Sequence, residues 1–212
     1  ANFDGEHYLA IAQFGYKELE QAFFPLFPLM ISFFTQPFSA DYISYLINAT
    51  IVGLLISNIS FLLALIFLFE LIRLDFTKKV AFTAIAIILF FPLSFYFGAV
   101  YNESIFLLLS VVSFYFARKK RWLLSGIFGS LSAATRVFGF LLLPSLLIEA
   151  YKQKEKISKI WGLFLIPLGL GGYMLYQYLN FGDALAFYHL QTIVGEQHQT
   201  GVVLLPQVYF RY

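Results

Sequence analysis

The stretch Trp122–Ala150 reads WLLSGIFGSLSAATRVFGFLLLPSLLIEA, and how it meets a membrane decides the fold. It is a long apolar run interrupted in its middle by Thr135-Arg136. One helical crossing takes about 20 residues, so the run is either one over-long span or two half-length helices that enter and return to the same side. The flanking charges choose between them. Arg73, Lys78 and Lys79 form one basic cluster, Arg118–Arg121 a second, and Lys152, Lys154, Lys156 and Lys159 a third. Basic residues collect on the cytoplasmic side of membrane proteins. All three clusters share that side only if the run dips in and comes back, which leaves Arg136 at the tip. Eleven of the fourteen Lys and Arg are then cytoplasmic.

Four further regions are long or nearly long enough to cross. Tyr42–Leu74 crosses with room for tilt, and Val80–Val100 crosses with a kink expected at Pro92. Ser104–Ala117 is short and needs Val100–Glu103 as its first turn. Ile160–Asn180 crosses and carries Gly169–Gly172, small residues that permit close helix contact. The composition agrees: 60% of the 212 residues are hydrophobic, 20% aromatic and 12% charged. Soluble domains carry about 25% charged residues, so an ordinary water-soluble globule is excluded. The expected fold is all-α, a polytopic transmembrane helical bundle forming one domain over 1–212. Within it, 1–41 is an outer loop with interfacial helices, 42–180 holds the membrane spans, and 181–212 is a second outer loop. The absence of Met at position 1 and the polar opening suggest a piece of a longer chain, with spans before and after it. The absence of cysteine removes disulfides, thiolate nucleophiles and thiolate metal sites. Basic residues confined to short clusters give no face for nucleic acid.

Non-cytoplasmic chemistry would fall on the long outer loops, where Asp4, Glu6, Asp41, Glu103 and Asp183 lie. Tyr8–Tyr16 has helical spacing but is too short to cross, as an interfacial helix would be. Phe23–Leu29, with prolines at 25 and 28, reads as a stiff aromatic bend. Asp4 and His7 share a helical face; Asp4 either caps the interfacial helix or does chemistry, and Asp4, Glu6 and His7 make a weak metal set. Arg136 is expensive in a membrane. It needs either an ion-pair partner, with Glu103 the available acid, or an anionic ligand that its guanidinium can grip bidentately. Two half-helices meeting there would leave backbone groups open to a cavity. Asn102 and Ser104 read as caps of the following helix, with Glu103 favoured at its positive end. The last loop supplies His189, Gln191, Glu196 and His198.

Four motifs in this order resemble the PIG-V family, which holds the second mannosyltransferase of GPI-anchor assembly and bacterial relatives. They are Phe3-Asp4-Gly5-x-His7-Tyr8-Leu9-x-Ile11-Ala12, Ala22–Pro28, Phe97-Gly98-Ala99-x-Tyr101-x-Glu103-Ser104 and Ala133-Ala-Thr-Arg136-x-x-Gly139. The resemblance covers nearly the whole chain and looks bacterial. It implies a GT-C glycosyltransferase of the plasma membrane, working on the non-cytoplasmic side with a polyprenyl-phosphate sugar as donor and a lipid or glycan acceptor; no cofactor is expected, and the acid spacing gives no strong metal site. The acidic residue in the first outer loop that it implies as catalytic matches Asp4. On this reading Asp4 and Glu103 are the catalytic carboxylates, Arg136, Tyr101 and His189 bind the donor phosphate, and His7 and Gln191 contact substrate. One base suffices because the leaving phosphate needs no general acid, unlike the two carboxylates of glycosidases. The competing class is a lipid-linked substrate transporter or flippase, which would also carry a buried Arg and broken helices.

Overall fold

The computed structural model describes residues 4–17, 19–39 and 41–195, without the side chains of 191–195. The described chain is all-α. An opening helix α1 (Asp4–Phe14) and α2 (Leu26–Thr35) lie against the first half of a long helix α3 (Tyr42–Ile72). Asp41 starts α3 by accepting the Ile43 and Ser44 backbone N–H groups, and Ser44 completes a capping box. With 31 residues, α3 is the one described helix both long and apolar enough to cross a membrane. Only 22% of its most apolar window is buried, so it is not the core helix of a soluble protein.

The other expected spans are broken by their own residues. In the second, α4 (Lys78–Phe90) stops before Pro92, and Phe91 is extended. Proline drives the residue before it out of the helical region, so Pro92 ends this helix rather than kinking it. A short 3-10 turn, Ser94–Gly98, continues the path. The third helix, α5 (Glu103–Arg118), begins at Glu103 and not at Val100. It runs beside the second half of α3: Ser57 donates to the Tyr101 carbonyl at one end, and Arg118 grips Asp75 at the other. The last span is divided into a 3-10 turn, Trp161–Leu165, and α8 (Ile166–Phe181).

The 122–150 run folds as the charge argument requires. It makes α6 (Trp122–Ala133), a break at Ala134–Arg136, a 3-10 turn Val137–Leu141, and α7 (Leu142–Lys152). The end of α7 lies beside the start of α6, because Gln153 donates to the Ala117 carbonyl and Glu149 pairs with Arg118. Trp122, Leu146, Ala150 and Leu163 pack in one cluster at that end. The run is therefore a hairpin, and the three basic clusters come together at one end of the molecule. α8 rises beside α6 at backbone contact: a Cβ on Gly126 would sit 1.7 Å from the Gly162 carbonyl oxygen, and one on Gly169 1.9 Å from that of Ser130. Gly171 and Gly172 have nothing so close.

Beyond the break, α8 clamps the first loop. Tyr173 donates to the Gln21 and Phe23 carbonyls, Gln177 donates to Gln21, and Tyr16 donates to Phe23. α9 (Ala186–Gly195) adds Phe187, whose N–H reaches Gln177. The prolines of 23–29 do not make a bend outside helices: Pro25 caps α2 and Pro28 falls in its first turn, where missing N–H groups cost little. Phe24 and Phe27 are buried in the core, whereas Leu29, Phe33 and Phe34 remain exposed.

Candidate active site

Three separate elements meet at the tip of the α6–α7 hairpin. The extended backbone of Arg136 ends α6, and its side chain projects from the break. The carbonyls freed there do not face an open cavity, contrary to the sequence expectation. That of Ala134 accepts from the Leu26 N–H, that of Thr135 from the Asn102 side chain, and that of Arg136 from the Gly139 N–H. Unpaired backbone groups are costly when buried, and neighbouring chain rather than ligand satisfies these three. Asn102 thus braces the break instead of capping α5, and Ser104 donates to the Phe97 carbonyl.

Glu103, in the first turn of α5, accepts from Arg136 Nη2 at 2.9 Å. The contact is single: Oε2 of Glu103 is buried without a partner, and among the described contacts the remaining guanidinium N–H groups are uncommitted. The Arg136 side chain is 37% exposed and that of Glu103 23%. The pair is fixed but accessible, and it leaves donors able to grip an oxyanion.

α1 delivers the third element. Gly5 abuts the Val100 carbonyl, where a Cβ would come within 3.1 Å, and this seats the first turn of α1 against the loop that carries Tyr101–Glu103. Asp4 is half-buried in that turn. One helical turn on, Tyr8 faces inward with Ile11 and Ala12, its ring edge-on to Phe23 and Phe27. Burial pushes the Tyr8 phenol far above its ordinary range. Glu103 raises it further, Arg136 draws it down, and Asp4 and Tyr101 raise it again. One phenol thus senses Asp4, Tyr101, Glu103 and Arg136 together. Tyr101 is itself raised, first by desolvation and then by the Asp4 charge, while the Asp4 backbone N–H acts in the opposite sense. At neutral pH both phenols are proton donors. Tyr101 is held by an edge contact to Tyr96, and its loop is pinned by Asn58 donating to the Gly98 carbonyl.

The family described as mannosyltransferase (PIG-V) matches residues 1–179. The chain belongs to the PIG-V mannosyltransferase family. No curated protein and no solved structure matches it. Membership gives the chain a glycosyltransferase-like character in general terms.

In this PIG-V family member the other expected site residues are placed differently. His7 stacks on Phe23 with ring centres 4.8 Å apart, beside the cluster. Among the described residues no three His, Asp or Glu side chains are grouped to hold a metal ion. His189, in α9, meets Asp183 of the loop after α8 at 2.7 Å. The side chain of Gln191, together with Glu196, His198 and the rest of the 196–212 segment, lies outside the described residues. Sequence reasoning missed Tyr8 and Asn102. The signal for Tyr8 was available, since it stands four residues after Asp4 and so on the same helical face. Asn102 was read as a cap, and nothing local marked its bracing role, because its partner is 33 positions away.

An apolar chamber of about 640 Å³ lies between α2, α3 and α5. Leu26, Met30, Phe34, Ile59 and Leu109 line it, and Ile105 brings its wall within two residues of Glu103. The Phe90–Phe95 stretch, by contrast, points Phe90, Phe91 and Phe95 outward.

Proposed function

We propose that this chain is a multi-pass membrane glycosyltransferase of GT-C type. It transfers a sugar, mannose in keeping with its family, from a polyprenyl-phosphate donor to an acceptor hydroxyl on the non-cytoplasmic face. The reading is supported by the Arg136–Glu103 pair at 2.9 Å and by the seat of Gly5 against the Val100 carbonyl, which brings the turn carrying Asp4 to the loop that carries Tyr101–Glu103.

Asp4 is the general base. It takes the proton of the acceptor hydroxyl while that oxygen bonds to the anomeric carbon from the face opposite the phosphate. The carbon–oxygen bond to phosphate breaks, the configuration inverts, and the polyprenyl phosphate leaves with the electron pair. Arg136 stabilises the charge that grows on the phosphate, and Tyr101 is placed to donate to it. Glu103 is a positioning carboxylate that holds the guanidinium by one nitrogen and leaves the others for the donor. The prenyl chain runs into the apolar chamber beside Ile105. The basic end faces the cytoplasm. Ser57, level with the site, stands about 22 Å along α3 from Ile72, which sets the chemistry toward the opposite leaflet of a core about 30 Å thick.

The test is sugar transfer from labelled polyprenyl-phosphate donors in membranes. A positioned base contributes about 10²–10⁴-fold in rate, so Asp4→Asn loses that much turnover and keeps its melting temperature in detergent. Arg136→Ala raises the donor KM by about tenfold or more and also lowers kcat, because the leaving phosphate loses its counter-charge. Its partly exposed ion pair is worth only about 1 kcal/mol, so the protein stays folded. Near-normal transfer by Asp4→Asn would remove the proposed base. Donor movement across the bilayer without transfer would favour the transporter reading.

A further inference from the structure

The end of the molecule opposite the site carries a charge that its own acids do not balance. The three basic clusters bring eleven Lys and Arg together there, facing four acids, Glu70, Asp75, Glu149 and Glu155. Each acid is already paired: Glu70 with Arg73, Asp75 and Glu149 with Arg118, and Glu155 with Lys120 and, at 4.0 Å, Lys159. Seven cations are left. Lys119 lies over the Tyr115 ring, while Lys78, Lys79, Arg121, Lys152, Lys154 and Lys156 are exposed without an acid among the described residues. Large apolar side chains stand between these charges. Tyr151, in the last turn of α7, is 85% exposed, and Ile157 and Trp161, on the segment that joins α7 to α8, are 78% and 56% exposed. Amphipathic tips and bulky apolar groups interleaved with lysines suit the boundary between headgroups and acyl chains.

We propose that this face, centred on residues 151–161, binds the headgroups of anionic phospholipids in the leaflet next to it. The lysines meet the phosphates, while Tyr151, Ile157 and Trp161 enter the acyl boundary and hold the segment in the membrane plane. Charge complementarity selects the occupant: seven unbalanced cations on one rim repel a basic partner, and the exposed apolar groups are unsuited to water alone. The surface lies apart from the Asp4–Arg136 cluster and serves no step in sugar transfer.

Trp161 reports on it directly, because Trp122, the other of the two tryptophans, is buried. The full chain is placed in nanodiscs of phosphatidylcholine and phosphatidylglycerol in which one lipid or the other carries brominated acyl chains. Quenching absent from Trp161→Phe is assigned to Trp161. Bromine on phosphatidylglycerol is expected to quench several-fold more than bromine on phosphatidylcholine. Lys152, Lys154, Lys156 and Lys159 changed together to Gln bring that several-fold ratio down to about one, as does high salt. Equal quenching by the two lipids in the unaltered chain overturns the proposal, and so does a preference that survives loss of the four lysines. Abolition of the preference by inorganic phosphate at constant ionic strength would show a soluble-anion site and overturn it too. None of these outcomes depends on transfer activity.

Discussion

At the scale of single residues, the Asn102 amide has more structural consequence than its surroundings suggest. Its Nδ2 donates to the Thr135 carbonyl at 2.8 Å in a fully buried setting, and its Oδ1 has no partner. It ties the start of α5 to the break in α6, and so fixes Glu103 relative to Arg136. Asn102→Ala leaves a buried carbonyl unpaired, which costs about 1–3 kcal/mol. Asn102→Asp is worse, because a carboxylate would face the carbonyl oxygen. Thermal unfolding in detergent should rank the three proteins Asn, Ala, Asp in falling stability, and an Asp variant as stable as the parent would contradict the bracing role. Adjacent residues thus divide the work: Asn102 holds backbone, Glu103 holds a side chain, and Tyr101 faces Asp4.

At the scale of elements, α5 and α7 end in the same way. The Arg121 N–H returns to the Phe116 carbonyl and that of Lys120 to Ala117; likewise Glu155 returns to Ala150 and Lys154 to Tyr151. Both are Schellman endings, in which the residue just beyond the helix is left-handed and is usually glycine. Here it is a lysine each time, with φ of 59° at Lys120 and 55° at Lys154. A side chain in this conformation costs about 1 kcal/mol or somewhat more. Lys154→Gly should therefore raise stability in detergent by about 0.5–1 kcal/mol, as read from the melting temperature. Lys120 is the poorer choice, because its ammonium pairs with Glu155 at 2.8 Å. The two endings turn both chains onto the same rim, and the lysines extend the basic face.

At the scale of the whole molecule, one cross-link joins the ends of α3, α5 and α7: the Arg118 guanidinium, with both nitrogens of its fork on Asp75 at 2.6 Å and its Nε on Glu149 at 3.1 Å. The Arg118 hydrogen bonds hold the Asp75 carboxyl below its ordinary value, and those of Lys120 do the same for Glu155. A carboxylate depressed in the folded state stabilises fully above its unfolded pKa of about 4, and that contribution is lost as pH falls through the folded value. Melting temperatures in detergent should therefore show no contribution to pH dependence from these groups between about pH 5 and 8, then a decline below pH 4. Asp75→Asn should be less stable at neutral pH and should decline less on acidification. An unaltered acid limb in that variant would remove Asp75 from the account.

Sequence alone determined the all-α class, the turn-back of 122–150 and the gathering of basic residues at one end. Each follows from hydrophobic length and charge placement, which are properties of the chain in order. Sequence also nominated Arg136, because an ionisable group inside an apolar run is costly, with Glu103 as its available partner; Asp4 was nominated by the family resemblance. It misjudged Pro92, the prolines of α2 and Asn102, where the outcome rests on which neighbour approaches the backbone. Only the tertiary structure decided that Glu103 takes one nitrogen of Arg136, that Tyr8 lies among the charges, and that the carbonyls of the break are already satisfied. Those facts depend on contacts between residues tens of positions apart, and no local pattern encodes the distance between them.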